Sequence, residues 1–132
     1  PNRSMNTGYV LGARVPAQVT ASGMLMLALR TDEELAQWLA TRQLKAFTSF
    51  TIADKDTMRQ EMARIRTQDW ALSEQQLDLN SRGIAVPLRD RHGALVGALN
   101  ITMPIGQEHS KDAVARVLPV LRETAQAMRN QI

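Results

Sequence analysis

The residue types that could carry catalytic chemistry are few, and their spacing does not suit catalysis. His92 and His109 are the only two histidines, and neither belongs to an HExxH pattern or an i, i+4 pair. His92 falls in a turn and His109 just ahead of a helix start, where an imidazole is ordinarily a solvated polar group. The chain has no cysteine, which removes thiol catalysis, disulfides and cysteine-based zinc sites together. Neither a P-loop nor a GxGxxG occurs. Ser22 stands in Ala21-Ser22-Gly23, not in a GxSxG elbow, so a nucleophile here has no nameable base. Asp32, Glu33, Glu34, Asp54 and Asp56 are explained as helix starts. The sequence therefore predicts binding without catalysis, and no cofactor or metal.

One stretch does have binding chemistry. In Val19-Thr20-Ala21-Ser22-Gly23 a helix begins among small residues and continues into an apolar run. A helix start leaves N–H groups unpaired and carries partial positive charge. Small side chains leave that backbone open to a carboxylate. The apolar helix behind it makes the site partly buried, where its field is less screened. The same residues would equally serve a helix packed closely on its neighbours, and both readings stay open.

A second set of small and polar residues shares a direction on a hairpin. Ser81, Gly83 and Ala85 have one parity on its first strand, and Ala98, Asn100 and Thr102 have one parity on its second. Ile84, Val86 and Leu88 fill the opposite face. Small residues on a covered face leave either close packing or a cavity, and a cavity with a few polar atoms suits a small ligand. Asn100, if buried there, needs a hydrogen-bond partner from ligand, water or backbone.

The elements that must hold these residues follow from periodicity and caps. Residues 8–15 read as a strand stopped by Pro16. Thr20 caps the apolar helix. Thr31 and Glu34 form a capping box, and Leu35, Trp38 and Leu39 give the stripe of a second helix ending near Ala40 or Thr41. Residues 47–52 read as a loop. A third helix spans about residues 54–66, capped by Asp54, with Met58, Met62 and Ile65 inward. A strand begins at Trp70-Ala71-Leu72. The hairpin turns at Asp90-Arg91-His92-Gly93, and both its faces are apolar enough to predict a sheet covered on two sides. A final helix capped by Ser110 carries Val114, Val117, Leu118, Leu121, Ala125 and Met128 on one side. Pro119 inside it predicts a kink or a fresh start. The order β-α-α-α-β-β-β-α fits an α+β fold with an antiparallel sheet.

At 132 residues the chain fits one domain, and 44% hydrophobic with 22% charged residues is a soluble globular profile. Net charge is +3, from 16 basic and 13 acidic residues spread along the chain. No basic stripe or recognition helix marks a DNA-binding face. No apolar run approaches the roughly 20 residues of a bilayer span, and the first residues carry no signal-peptide core. The absence of cysteine fits a cytoplasmic protein, and the start at Pro1 points to a fragment of a longer one.

Two blocks carry a family resemblance. Gly12-Ala13-Arg14-Val15-Pro16-Ala17, Thr20-Ala21-Ser22-Gly23 and Leu27-Ala28 resemble the IclR-family pattern GxRxPA…TASG…LA. Gly83-Ile84-Ala85-Val86-Pro87-Leu88-Arg89-Asp90, Gly93 and Ala98-Leu99-Asn100-Ile101 resemble its second block. Residues 44–48 with Trp38 and Thr51, and residues 82–87, are most similar to the PcaR/PcaU/PobR group, regulators of aromatic-acid breakdown. The resemblance implies a GAF-like effector-binding domain over residues 1–132, with the family's N-terminal winged helix-turn-helix lying outside this chain. It implies homodimers or tetramers that meet DNA only through that missing part, and no membrane. The effector would be a small organic acid, aromatic or β-ketoadipate-like, between the Thr20-Ala21-Ser22-Gly23 helix start and the sheet. Ala21 and Ser22 would offer amides to its carboxylate, Ser73 would stand at a position often acidic, Ser81 and Gly83 would line the wall, and Asn100 would lie on the neighbouring strand. Gly83 and Ser73 depart from the commoner residues of the family, as does Asn80, which replaces a glycine. The front of the chain has no room for the family's first strands. An oligomerisation module without a working effector site is the alternative reading, ahead of an enzyme on a GAF-like scaffold.

Overall fold

The computed structural model describes residues 16–132, and the strand expected over residues 8–15 lies outside them. A 3-10 turn (Ala17–Val19) leads into α1 (Ala21–Ala28). Thr20 is extended, and its hydroxyl accepts from the Gly23 N–H at 3.0 Å, so it caps α1 as expected. Ala21, Met24, Leu25, Leu27 and Ala28 are all buried, as a helix apolar nearly all round requires.

α2 (Asp32–Thr41) opens on the reciprocal box: the Glu34 N–H donates to Thr31 Oγ1 at 3.1 Å, and the Thr31 N–H donates to Glu34 Oε1 at 3.2 Å. Residues 47–52 form turns with no strand, as the following helix start demands. α3 (Lys55–Gln68) is capped by Asp54 and buries Met58, Met62 and Ile65 in one cluster with α1. It runs two residues past the expected end and stops at Asp69, in left-handed backbone at φ 65.

Three antiparallel strands follow, β1 (Ala71–Glu74), β2 (Ser81–Arg89) and β3 (Leu95–Pro104), in spatial order β1-β2-β3. Ser73 lies opposite Gly83, Gly83 opposite Thr102, and Ala85 opposite Asn100. β1 ends opposite Ala85, so Pro87 sits where β2 has lost one neighbour and its missing N–H is tolerated. Alternation along β2 sends Ile84 and Val86 to one face, where α4 (Ser110–Arg129) covers them with Ala113, Val117, Leu118 and Leu121. Ala85 goes to the other face, into the cluster of α1 and α3. β2 is thus covered on both sides, whereas β3 leaves Val96 and Ile101 exposed, so the two-sided cover expected of the sheet is met at β2 and not at β3; the α+β class with an antiparallel sheet holds.

Two expectations at α4 change. Ser110 is the first helical residue, so His109 occupies the cap position, and it makes no side-chain cap bond. Pro119 does not start a new helix, because α4 continues through it from Ser110 to Arg129. Pro119 and Ala115, whose carbonyl a proline cannot pair, both lie on the exposed side, where the lost bond costs least. Ahead of α4, Arg82 ties the layers together at only 2% exposure. Its Nε donates to Glu74 Oε2 at 2.6 Å and its Nη2 to the Glu108 carbonyl at 2.8 Å.

Candidate functional site

A cavity of about 210 Å³ opens where the start of α1 meets the sheet. Thr20, Ala21 and Ser22 form one wall, Ser73 comes from β1, Ser81 and Gly83 from β2, and Asn100 and Thr102 from β3. Seven of the eight residues singled out in the sequence therefore share one cavity, and Gly23 does not line it. A Cβ on Gly23 would lie 2.2 Å from the Ala17 carbonyl oxygen. Its N–H is already spent on Thr20 Oγ1. Close packing of α1 on the 3-10 turn explains this glycine completely.

The helix start leaves two other amides. The Met24 N–H bonds the Thr20 carbonyl at 2.9 Å, the first regular helical bond. Among the described residues, the Ala21 and Ser22 N–H groups take no acceptor, and both residues line the cavity. Gly83 governs access to them. A Cβ there would stand 3.3 Å from the Ala21 Cβ and 3.9 Å from the Ala21 nitrogen. The bare backbone at position 83 lets the sheet approach the helix start while leaving an acceptor room beside Ala21.

The polar side chains of the wall are mostly committed to one another. Ser73 is buried, donates to the Val19 carbonyl at 2.8 Å, and accepts from Gln76 Nε2 at 3.2 Å. It fastens β1 to the 3-10 turn. Ser81 Oγ faces the Asp78 carboxylate at 2.9 Å and 3.0 Å. Asn100 is exposed, so it needs no buried partner, and its Nδ2 donates to Thr102 Oγ1 at 3.4 Å. Arg82 also lines the cavity, but its guanidinium is bonded to Glu74 and the Glu108 carbonyl. The Ala21 and Ser22 amides are thus the backbone donors of the α1 wall that meet no acceptor among the described residues.

Sequence reasoning missed the rear wall, Gln75, Gln76 and Leu77. Gln76 is 5% exposed and works as a hub: it donates to Ser73 Oγ, reaches Met24 Sδ at 3.4 Å, and accepts from the Ile52 N–H at 3.1 Å. The turn over residues 47–52 is clipped onto it. Thr48 donates to the Gln75 carbonyl, and Thr51 to the Gln76 carbonyl. Thr51 Oγ1 also accepts from the Phe47 and Thr48 N–H groups, at 3.0 Å and 2.9 Å. The three bonds that join residues 48–52 to Gln75 and Gln76 span 24 to 27 residues in the chain, and no local pattern announces them. Chemically the arrangement offers hydrogen bonds to an anion, and no described lining residue carries an imidazole, carboxylate or thiol.

The family model described as the bacterial transcriptional regulator IclR C-terminal domain matches residues 1–130. The Pca regulon regulatory protein of Pseudomonas putida is 31% identical over 130 residues, which are 98% of this chain and 45% of that protein. The p-hydroxybenzoate hydroxylase transcriptional activator of Acinetobacter baylyi is 32% identical over 125 residues, 95% of this chain and 46% of that protein. The chain thus spans about half the length of these curated relatives. In three dimensions it is similar to a double mutant of the PobR inducer-binding domain from Acinetobacter, solved with 3-hydroxybenzoic acid. That match has TM-score 0.90 and 32% identity, and covers 100% of this chain and 75% of the other.

Proposed function

Because the chain belongs to the bacterial transcriptional regulator IclR C-terminal family, we propose that it is the effector-binding domain of a transcription regulator. A small organic acid seats its carboxylate on the Ala21 and Ser22 amides, with Thr20, Ser73, Ser81, Gly83 and Asn100 around it. The observation that carries this reading is the pair of amides that meet no acceptor among the described residues, beside a glycine that leaves the Ala21 amide approachable. A monocyclic aromatic acid is the favoured class. The cavity is small, one relative is the activator of a p-hydroxybenzoate hydroxylase, and a similar structure was solved with 3-hydroxybenzoic acid. The domain senses and does not catalyse. It acts in the cytoplasm, in homodimers or tetramers, and reaches DNA through a part of the regulator outside this chain. Control follows if the effector prefers one conformation or assembly over another, since only differential affinity shifts an equilibrium.

Calorimetric titration with 4-hydroxybenzoate, 3-hydroxybenzoate, protocatechuate, β-ketoadipate and short keto acids tests it. Saturable binding of at least one acid, lost on Ser22→Trp with the fold retained, is the expected result. No binding of any of them, or binding untouched by Ser22→Trp, overturns the assignment.

A further inference from the structure

On the α4 face of the sheet, away from the α1 amides, a second cavity of about 240 Å³ lies between the end of β2 and the last turns of α4. Its floor is Val86 and Ala125, and its rim carries Arg89, Arg122 and Arg129 with Asp69 as the sole carboxylate. Asp69 is consumed. Arg89 Nη1 and Nη2 donate to its two oxygens at 2.8 Å and 3.0 Å, a bidentate pair that cancels one charge of each sign.

The other two arginines are held by neutral groups. Arg122 Nη2 donates to the Gln68 carbonyl at 3.4 Å, and Arg129 Nε donates to the Asp90 carbonyl at 3.0 Å. Each guanidinium has five donors, and among the described residues one of them is used in each case. A carbonyl orients a guanidinium without neutralising it. Arg122 and Arg129 are seven residues apart on α4, so both project from one side of that helix. The C-terminal end of α4 adds about half a negative charge, which two uncompensated guanidiniums outweigh.

We propose that this cavity is a second ligand site, for a dianion: a phosphate group or a short dicarboxylate. Two uncompensated charges match two negative charges, and the planar donor forks match either oxygen set. The apolar floor accommodates a short carbon skeleton attached to the charged group.

The test is NMR titration of the chain at low salt and mildly alkaline pH with inorganic phosphate and, separately, succinate. Saturable shifts centred on residues 86–89 and 122–129 are expected, with a dissociation constant below about 10 mM. The tighter of the two anions identifies the source chemistry. The double variant Arg122→Gln/Arg129→Gln weakens binding at least about tenfold. The control Lys55→Gln/Lys111→Gln removes the same charge at the far ends of α3 and α4 and leaves binding unchanged. Equal weakening in both pairs would mean attraction to net charge alone and overturns the proposal. So does loss of binding in Gly83→Leu, which would put the anion on the α1 amides, and so does the absence of saturable binding by either anion.

Discussion

Gly83 of β2 and Ala21 of α1 meet so closely that a single added methyl at Gly83 would stand 3.3 Å from the Ala21 Cβ and 3.9 Å from its amide nitrogen. That methyl would occupy the space an acceptor needs. Gly83→Ala is therefore expected to weaken effector binding about tenfold, the equivalent of one hydrogen bond, or about 1.4 kcal/mol. Gly83→Leu is expected to abolish it. Stability of Gly83→Ala should stay within about 1 kcal/mol of the parent, because the lost glycine entropy offsets the tight contact. Parallel calorimetry and urea unfolding read both effects. Full affinity in Gly83→Leu would move the ligand elsewhere.

The clip behind the cavity makes a second prediction. Thr51→Val keeps the shape of the side chain and deletes the oxygen that serves the Phe47 N–H, the Thr48 N–H and the Gln76 carbonyl. Leaving such groups unpaired costs about 2 kcal/mol. The loss should appear in thermal or urea unfolding, and effector affinity should fall too, because Gln76 holds Ser73 and the cavity wall. An unchanged unfolding midpoint would show that the clip adds nothing.

Arg82 and Glu74 give a third. Removing the carboxylate strands a guanidinium that is 2% exposed and has one nitrogen, Nη1, already without a partner among the described residues. Glu74→Gln should destabilise by about 3 kcal/mol. The double variant Arg82→Met/Glu74→Gln should recover much of that, since it removes the buried charge. Urea midpoints of the two variants decide it, and a double variant less stable than Glu74→Gln alone would refute the account.

A fourth concerns acid. The Thr57 backbone N–H, and then its hydroxyl, hold the exposed Asp54 carboxyl below the usual aspartate value. A lowered folded-state value means the cap stabilises above the unfolded-state value and loses that effect as pH falls through the folded one. Asp54→Ala should therefore lower the melting temperature at neutral pH. The gap to the parent should close toward the acid end. A gap independent of pH would mean that the charge of the cap contributes nothing.

Features written in neighbouring residues were legible in advance. Thr31 with Glu34 announced a helix start, and the parity of Ser81 and Gly83 against Asn100 and Thr102 announced one shared face. What escaped was non-local. Gln76 acquires its role from Ile52, Met24 and Ser73, which folding brings to it from 3 to 52 positions away. Nothing adjacent to Arg82 marks it as buried, because Glu74 and the Glu108 carbonyl that enclose it lie 8 and 26 positions away. Gly23 and Gly83 read alike in the sequence, yet a Cβ on Gly23 would strike the Ala17 backbone at 2.2 Å, while one on Gly83 would come closest to the Ala21 side chain, at 3.3 Å. Composition cannot separate those two outcomes, because the deciding atoms belong to other segments.

The division of β2 into a face of bulk and a face of small side chains also separates two kinds of mutational freedom. Ile84 and Val86, locked against α4, act as a keel whose alteration threatens the whole domain. Ser81 and Gly83, with Asn100 and Thr102 of the neighbouring strand, belong to a different compartment, in which a change alters what is accepted more than whether the chain folds. Sites that share no neighbours tend to contribute independently. A library confined to those four positions could thus retune the domain as a biosensor for new acids without repairing its core at every step.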